Sequence, residues 1–303
     1  MIPALLGISV FVFLIIHLIP GDPISVMMGR VSDPEVLAAL RAQYGLDKPL
    51  ITQYFVWLGN VVQGNLGYSI STNEPVLSQI LERLPRTLYL ILGGVSITLL
   101  LAVPSGILAA ARHNSWIDLG ITTLTLILMS IPSFWLAILL ILVFAVQFKV
   151  LPATGFVDPR EGFGDFVRHM VIPSVALGAT EAALVARILR SSMLDALRQD
   201  YISVARAKGA GERRVLYLHA LPNAAIPVVT VFAIEVGYLL GGAIVIERVF
   251  AYPGMGLLLI TAITTRDYPL IQGTILVFAL LFCVVNLLTD IVYTLIDPRI
   301  RYD

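Results

Sequence analysis

Three carboxylates stand inside otherwise apolar runs of this sequence: Glu181, Glu235 and Asp290. A charge at the centre of a bilayer costs about 2.5–3.5 kcal/mol on insertion scales. Such groups therefore face a bundle interior or a wetted cavity, where they can hold a proton or a cation. Glu235 lies between Pro227 and the glycines Gly237 and Gly241, and is the leading candidate for a pathway group. The competing reading is a structural acid satisfied by a hydrogen bond. Glu181 has Arg187 and Arg190 further along its own run, too far for an i,i+4 pair, so its partner must come from elsewhere. Asp290, near the end of its run, reads as an interfacial or inter-helix hydrogen bond.

Other chemistry is missing. The sequence has no His-Glu-x-x-His, no Gly-x-Ser-x-Gly and no Walker A string. His17, His113, His169 and His219 are scattered without ligand spacing, and Cys283 is the single cysteine. No intramolecular disulfide or cysteine-based metal cluster is possible. No catalytic residue and no metal site are expected. Uphill movement of a solute would draw on an ion gradient or on another subunit.

These carboxylates need helices to hold them, and the composition supplies helices of one kind. Of 303 residues, 58% are hydrophobic and 13% charged. Ordinary soluble domains carry about 25% charged residues. With a mean hydropathy of +0.89, a large soluble enzyme is excluded, because it would have no polar surface for water. The net charge of zero gives no reason to expect a nucleic-acid partner. Six apolar runs predict transmembrane helices near 2–19, 87–111, 117–148, 169–190, 224–246 and 270–296. The first lacks the basic start and cleavage site of a signal peptide, and the chain reads as lacking a short leading segment. Pro104, Pro132, Pro173 and Pro227 are expected to bend their spans. Small residues every fourth position (Ser174, Gly178, Ala182, Ala186, and Gly237 with Gly241) predict close helix approach.

Charge asymmetry orients the bundle. The stretches 112–116, 187–222 and 297–303 hold ten Lys or Arg, against five on the short loops of the other face. The positive-inside rule then places both termini in the cytoplasm. The 21–86 segment is expected outside the cytoplasm, with short helices starting near Pro34, Pro49 and Pro75. The second carries Ile51, Tyr54, Phe55, Leu58 and Val62 on one face. Such helices serve either as a docking surface or as a structural plug.

The cytoplasmic loop at 191–222 has its own grammar. Asp200 is placed to cap a helix over Tyr201–Lys208, Gly209 to stop it, and Glu212–Ala220 to form a second helix ended by Leu221-Pro222. Ala205 and Ala207 keep the first helix slim, with Arg206, Lys208, Arg213 and Arg214 around it. A slim helix with a charged rim suits a groove on a partner or a lipid headgroup surface.

This loop resembles the EAA loop of ABC importer permeases. Gly209 stands for its glycine, Ala205 for its second alanine, and Leu221 and Pro222 for its Leu-Pro. Val204 replaces the first alanine, Ser203 replaces the glutamate, and His219 takes a branched apolar position. The string Ala205-Arg206-Ala207-Lys208-Gly209, followed by Asn223-Ala224 and Ile226-Pro227-Val228-Val229, resembles the dipeptide/oligopeptide permease family, first-permease type. Pro20-Gly21-Asp22-Pro23, Gly45-Leu46-Asp47-Lys48-Pro49, Gly64-Asn65-Leu66-Gly67-Tyr68-Ser69, Pro253-Gly254-Met255-Gly256, Arg266-Asp267-Tyr268-Pro269 and Asp297-Pro298-Arg299-Ile300-Arg301-Tyr302 fit the same family, with Asn65 where an aspartate is usual.

The resemblance implies an all-α integral membrane protein with six transmembrane helices and type I ABC importer permease architecture. A single permease domain would cover 1–303, with an extracytoplasmic helical segment at 21–86 and a coupling loop at 191–222. It implies a bacterial or archaeal cytoplasmic membrane and a second homologous permease as heterodimer partner. Two ATP-binding subunits would sit below and a substrate-binding protein above. Tyr201, Ser203, Ala205, Arg206, Ala207, Lys208, Gly209, Arg213, Leu221 and Pro222 would meet an ATPase. Glu181, Glu235, Gly237 and Gly241 would belong to the pathway. ATP and Mg would be bound by the partners, with no cofactor in this chain. The cargo would be a di- or oligopeptide or a related solute. A proton-linked carrier using Glu181 or Glu235, and a membrane enzyme, are the competing classes.

Overall fold

The computed structural model describes residues 2–18 and 48–296. Its elements are α1 (Ile2–Leu18), α2 (Leu50–Val62), α3 (Val76–Ala111), α4 (Trp116–Ser130), α5 (Ser133–Leu140), α6 (Phe163–Leu197), α7 (Asp200–Ala207), α8 (Leu221–Val249), α9 (Met255–Thr265) and α10 (Tyr268–Ile296). A π-helix over Ile141–Gln147 continues α5, and another over Val215–Ala220 leads into α8. Among the described residues, extended pairing is confined to one bridge between Tyr68 and Pro75.

Val76–Ala111, Phe163–Leu197, Glu212–Val249 and Tyr268–Thr289 are each long and apolar enough to cross a membrane. They contain the expected spans over 87–111, 169–190 and 224–246, and most of that over 270–296. The described part of α1 has 17 residues, short of the roughly 20 a full crossing takes.

The span expected over 117–148 is sharply bent at Pro132: Trp116–Ser130 and Ser133–Gln147 meet at 106°. The cause is local. A residue before proline avoids the helical region, and Ile131 is extended at φ −94, ψ 123. Pro132 then starts α5 at φ −61. Pro104, Pro173 and Pro227 sit inside α3, α6 and α8 without interrupting them. The helix expected to open near Pro75 feeds the second span directly, as α3 runs unbroken from Val76 to Ala111. The sequence had given no sign of α9, eleven residues that end where Arg266 turns left-handed at φ 56.

The chain divides into two compact units, Met1–Arg86 with Gly254–Cys283, and Thr87–Pro253 with Val284–Asp303. In the first, Val76 and Ile80 of α3 pack on Met255, Leu258 and Ala262 of α9 and on Tyr268. In the second, α3 and α6 meet along a seam with almost no side chain between them. A Cβ on Gly178 would collide with the Gly94 carbonyl oxygen, and one on Gly93 with Ser174 Oγ. The Thr98 hydroxyl lies 3.0 Å from the Gly94 and Gly178 carbonyl oxygens alike. The small residues Ser174, Gly178, Ala182 and Ala186 are all buried, as their spacing predicts. Gly237 is buried too, but a Cβ on Gly241 would meet nothing within 4 Å.

The strings at 20–23 and 297–302, the helix expected from Pro34 to Gly45, the residues Gly45 to Asp47 and the Asp290 side chain lie outside the described residues.

Candidate functional site

The polar loop is fixed to the second unit by a few apolar side chains. Ile202 and Val215 are fully buried in a cluster with Leu189, Met193 and Ala220. α7 spans Asp200–Ala207 with Gln199 before it, so Asp200 is its first residue and not its cap. The stop is as expected. Gly209 adopts φ +83; its N–H bonds the Arg206 carbonyl at 2.9 Å, and that of Ala210 bonds the Ala205 carbonyl at 3.1 Å. This reciprocal pair is the Schellman closure, which needs a left-handed residue. Arg206 then bridges the turn to Glu212 at 2.8 and 3.2 Å. That hydrogen bond holds the Glu212 carboxyl below the usual glutamate range.

The second helix departs from expectation. Glu212–Arg214 form one turn, Val215–Ala220 are π-helical, and the helix continues through Leu221 and Pro222 to Val249. Proline has no N–H to give to the ladder. The wide π turn directly before Pro222 is where the ladder can change register. Within that turn the His219 carbonyl accepts Asn223 Nδ2 at 2.9 Å and the Tyr201 hydroxyl at 3.5 Å. The loop shows Tyr201, Val204, Tyr217 and Leu218 to the outside. Ser203, Arg206, Ala207, Lys208, Gly209, Arg213 and Pro222 are also exposed, whereas Ala205 and Leu221 are half-buried.

Further along the same rod, Glu235 is buried, with the half-buried Glu181 of α6 as its neighbour. The neighbour of Glu181 is thus a second carboxyl.

Two buried acids escaped the sequence reading. Asp118 accepts Arg190 Nε at 2.5 Å and Nη2 at 2.7 Å, and its Oδ2 also accepts the Asn114 N–H at 3.0 Å. Ser115 caps α4 by accepting the Asp118 N–H at 3.3 Å. The Ser-x-x-Asp signature was available for this helix start. The pairing with Arg190, 72 residues away, was not. Glu247 is fully buried and accepts the Thr87 hydroxyl at 2.6 Å.

In the first unit, Asp267 ties two loops together. Burial pushes its pKa up. The Ser69 hydroxyl, the Ser71 and Ile70 N–H groups and the Ser71 hydroxyl donate to it and win, holding it below the usual carboxylate range. Beside these loops, Gln63, Asn65, Tyr68, Pro75, Ser78 and Leu81 help line a groove of about 470 Å³.

The family described as "Binding-protein-dependent transport system inner membrane component" matches residues 102–302, and its N-terminal companion matches residues 1–91. The chain belongs to this family. A relative from Pseudomonas aeruginosa (strain UCBPP-PA14), named a di/tripeptide transport system permease protein, is 42% identical across 100% of this chain and 96% of its own length. One from Escherichia coli O6:H1, named a glutathione transport system permease protein, is also 42% identical, with the same coverage. The solved MetNI methionine ABC transporter in inward-facing form shares the fold, with a TM-score of 0.59 at 17% identity over 72% of this chain and 96% of that one.

As a transport-system inner membrane component, the chain is a multi-pass helical permease subunit of an ABC importer. Among the described residues no group of three His, Cys, Asp or Glu is placed to hold a metal ion.

Proposed function

We propose that the chain forms half of the translocation pathway for di- or oligopeptides, driven through the loop at 200–222 by partner ATPases. The observation that carries this reading is a helix closed by Gly209 and braced by Arg206–Glu212, which shows Tyr201 and Val204 outward. Relatives named for peptide and glutathione transport support the cargo class. The loop and both termini face the cytoplasm, in line with its excess of Lys and Arg. A second, homologous permease supplies the other half, an extracytoplasmic binding protein delivers the solute, and ATP and Mg sit on the ATPases. The row Ile234, Tyr238, Gly241 and Val245 of α8 is exposed and faces that second half. Glu181 and Glu235 lie on the pathway. ATP-driven closure of the ATPases favours one packing of the helices over the other, which alternates access.

Gly209→Pro tests the loop. A proline cannot adopt φ +83, so peptide uptake and peptide-stimulated ATP hydrolysis are expected to vanish while membrane insertion persists. Wild-type uptake in this variant would sink the reading. The approach of Glu181 to Glu235 favours one competitor, a proton-linked carrier. That carrier predicts uptake by the purified chain alone in liposomes under a proton gradient, and absence of flux without ATPases rejects it.

A further inference from the structure

α2 has no charged residue in its thirteen positions. Its apolar side chains do not share one face, as the sequence suggested. Tyr54 and Trp57 turn to α1, where their rings lie 5.5 and 5.9 Å from that of Phe13. Ile51, Phe55 and Val62 point away, 73%, 63% and 80% exposed, with Val56 beside them. A helix apolar on both sides and uncharged throughout is poorly suited to water, and apolar patches of this kind mark a contact surface.

The contact with α1 says what covers it. α1 holds no Lys, Arg, Asp or Glu, and its own outer face shows Leu6, Val10, Phe11 and Leu14. The Ser9 hydroxyl donates to the Leu6 carbonyl at 2.8 Å, which uses its one proton. The Tyr54 hydroxyl, 2.8 Å away, is then the donor to Ser9. Both hydroxyls are satisfied without water, as a hydrocarbon setting demands. Ser9 lies nine residues before Leu18, about 13 Å along the axis at 1.5 Å per residue. The α2 contact therefore falls near the middle of the seventeen described residues of α1, an apolar run without a charged side chain.

The ends of α2 fit the same setting. The Asn60 carbonyl accepts the N–H groups of Gln63 and Asn65, and the Val61 carbonyl accepts that of Gly64, so the C-terminal turn closes on itself. At the other end the Gln53 side-chain amide donates to the Lys48 carbonyl at 2.8 Å.

We propose that α2 is an intramembrane helix, entering the hydrocarbon beside α1 and presenting Ile51, Phe55, Val56 and Val62 to lipid acyl chains. It is then neither a docking surface for a soluble protein nor a plug over the bundle. The inference rests on the membrane location of the chain and is independent of its cargo.

The test uses the assembled transporter in liposomes, with Cys283→Ala and nitroxide labels on Ile51→Cys, Phe55→Cys or Val62→Cys. A label on Phe11→Cys of α1 is the lipid-facing reference. Collision with oxygen is expected to match the reference, and collision with a water-soluble nickel chelate to be several-fold lower than at an exposed loop site such as Glu161→Cys. Frequent chelate collision would mean a water-facing helix. Rare collision with both reagents would mean a face covered by protein, such as the second permease. Either result overturns the proposal. Peptide uptake by the same vesicles is read in parallel, so a failure of the transport reading is seen separately.

Discussion

The α3–α6 seam and the loop at 200–220 belong to one unit and are built on opposite terms. The seam removes side chains until backbones touch, at Gly94 and Gly178. Beside it, α6 is clamped to the first turn of α4 by Arg190 on Asp118, whose side chains are 25% and 6% exposed. The loop uses the same kind of ion pair, Arg206 with Glu212, but at 43% and 66% exposure. Geometry is similar in the two pairs and burial is not. Where water is excluded, losing one partner strands a charge; where water is present, it takes the partner's place. Stability concentrates in the seam, and the loop is left free to serve contact.

Substitutions can break this contrast in graded steps. Arg190→Ala leaves Asp118 buried without its guanidinium and is expected to cost about 3 kcal/mol. The readout is the thermal unfolding midpoint of the solubilised complex. Replacing both partners by leucine should recover most of the loss. A mild effect of the single change would erase the distinction between the two ion pairs.

Gly178→Val forces carbon into a backbone contact and is expected to cost about 1–3 kcal/mol or more, read by the same melt. Gly209→Ala puts a Cβ on a left-handed residue at a cost of about 1–2 kcal/mol. Its mark should be a fall in ATPase coupling that exceeds the small change in melting. Arg206→Ala is expected to change stability by less than about 1 kcal/mol, and a large loss there would overturn the comparison.

The smallest effect is a pH response of the loop. The folded pKa of Glu212 is depressed by Arg206. The ion pair is fully formed above the unfolded glutamate value and is lost as pH falls through the lower folded value. Amide exchange of Arg206–Glu212 should therefore be steady from neutral pH down to the ordinary glutamate range and accelerate, relative to a loop peptide, only below it.

Much of this architecture is legible from spacing alone. Apolar runs locate the helices, and the Gly209 stop follows from the loop sequence, since both are local patterns. What the sequence hides depends on neighbours distant in the chain. Ser174, Gly178, Ala182 and Ala186 announce a close approach, but nothing marks Gly93 and Gly94 as its other half. Gly237 and Gly241 carry the same signature, yet a Cβ on Gly241 would meet nothing within 4 Å among the described residues. Four prolines look alike, and Pro132 alone among them breaks a helix, because Ile131 becomes extended. The continuation past Leu221-Pro222 was missed for the converse reason: a π turn lets a helix run through a proline. Of the candidate site, the Glu181–Glu235 pairing was beyond reach, because a carboxyl is rarely read as the partner of another carboxyl.

That continuation gives the chain a push-rod. From Tyr217, exposed in the loop, to Glu235 is eighteen helical residues, about 27 Å at 1.5 Å each, with no loop or turn between them. A shift applied at the exposed end reaches Glu235 through continuous helix, the missing N–H groups at Pro222 and Pro227 being the soft points on the way.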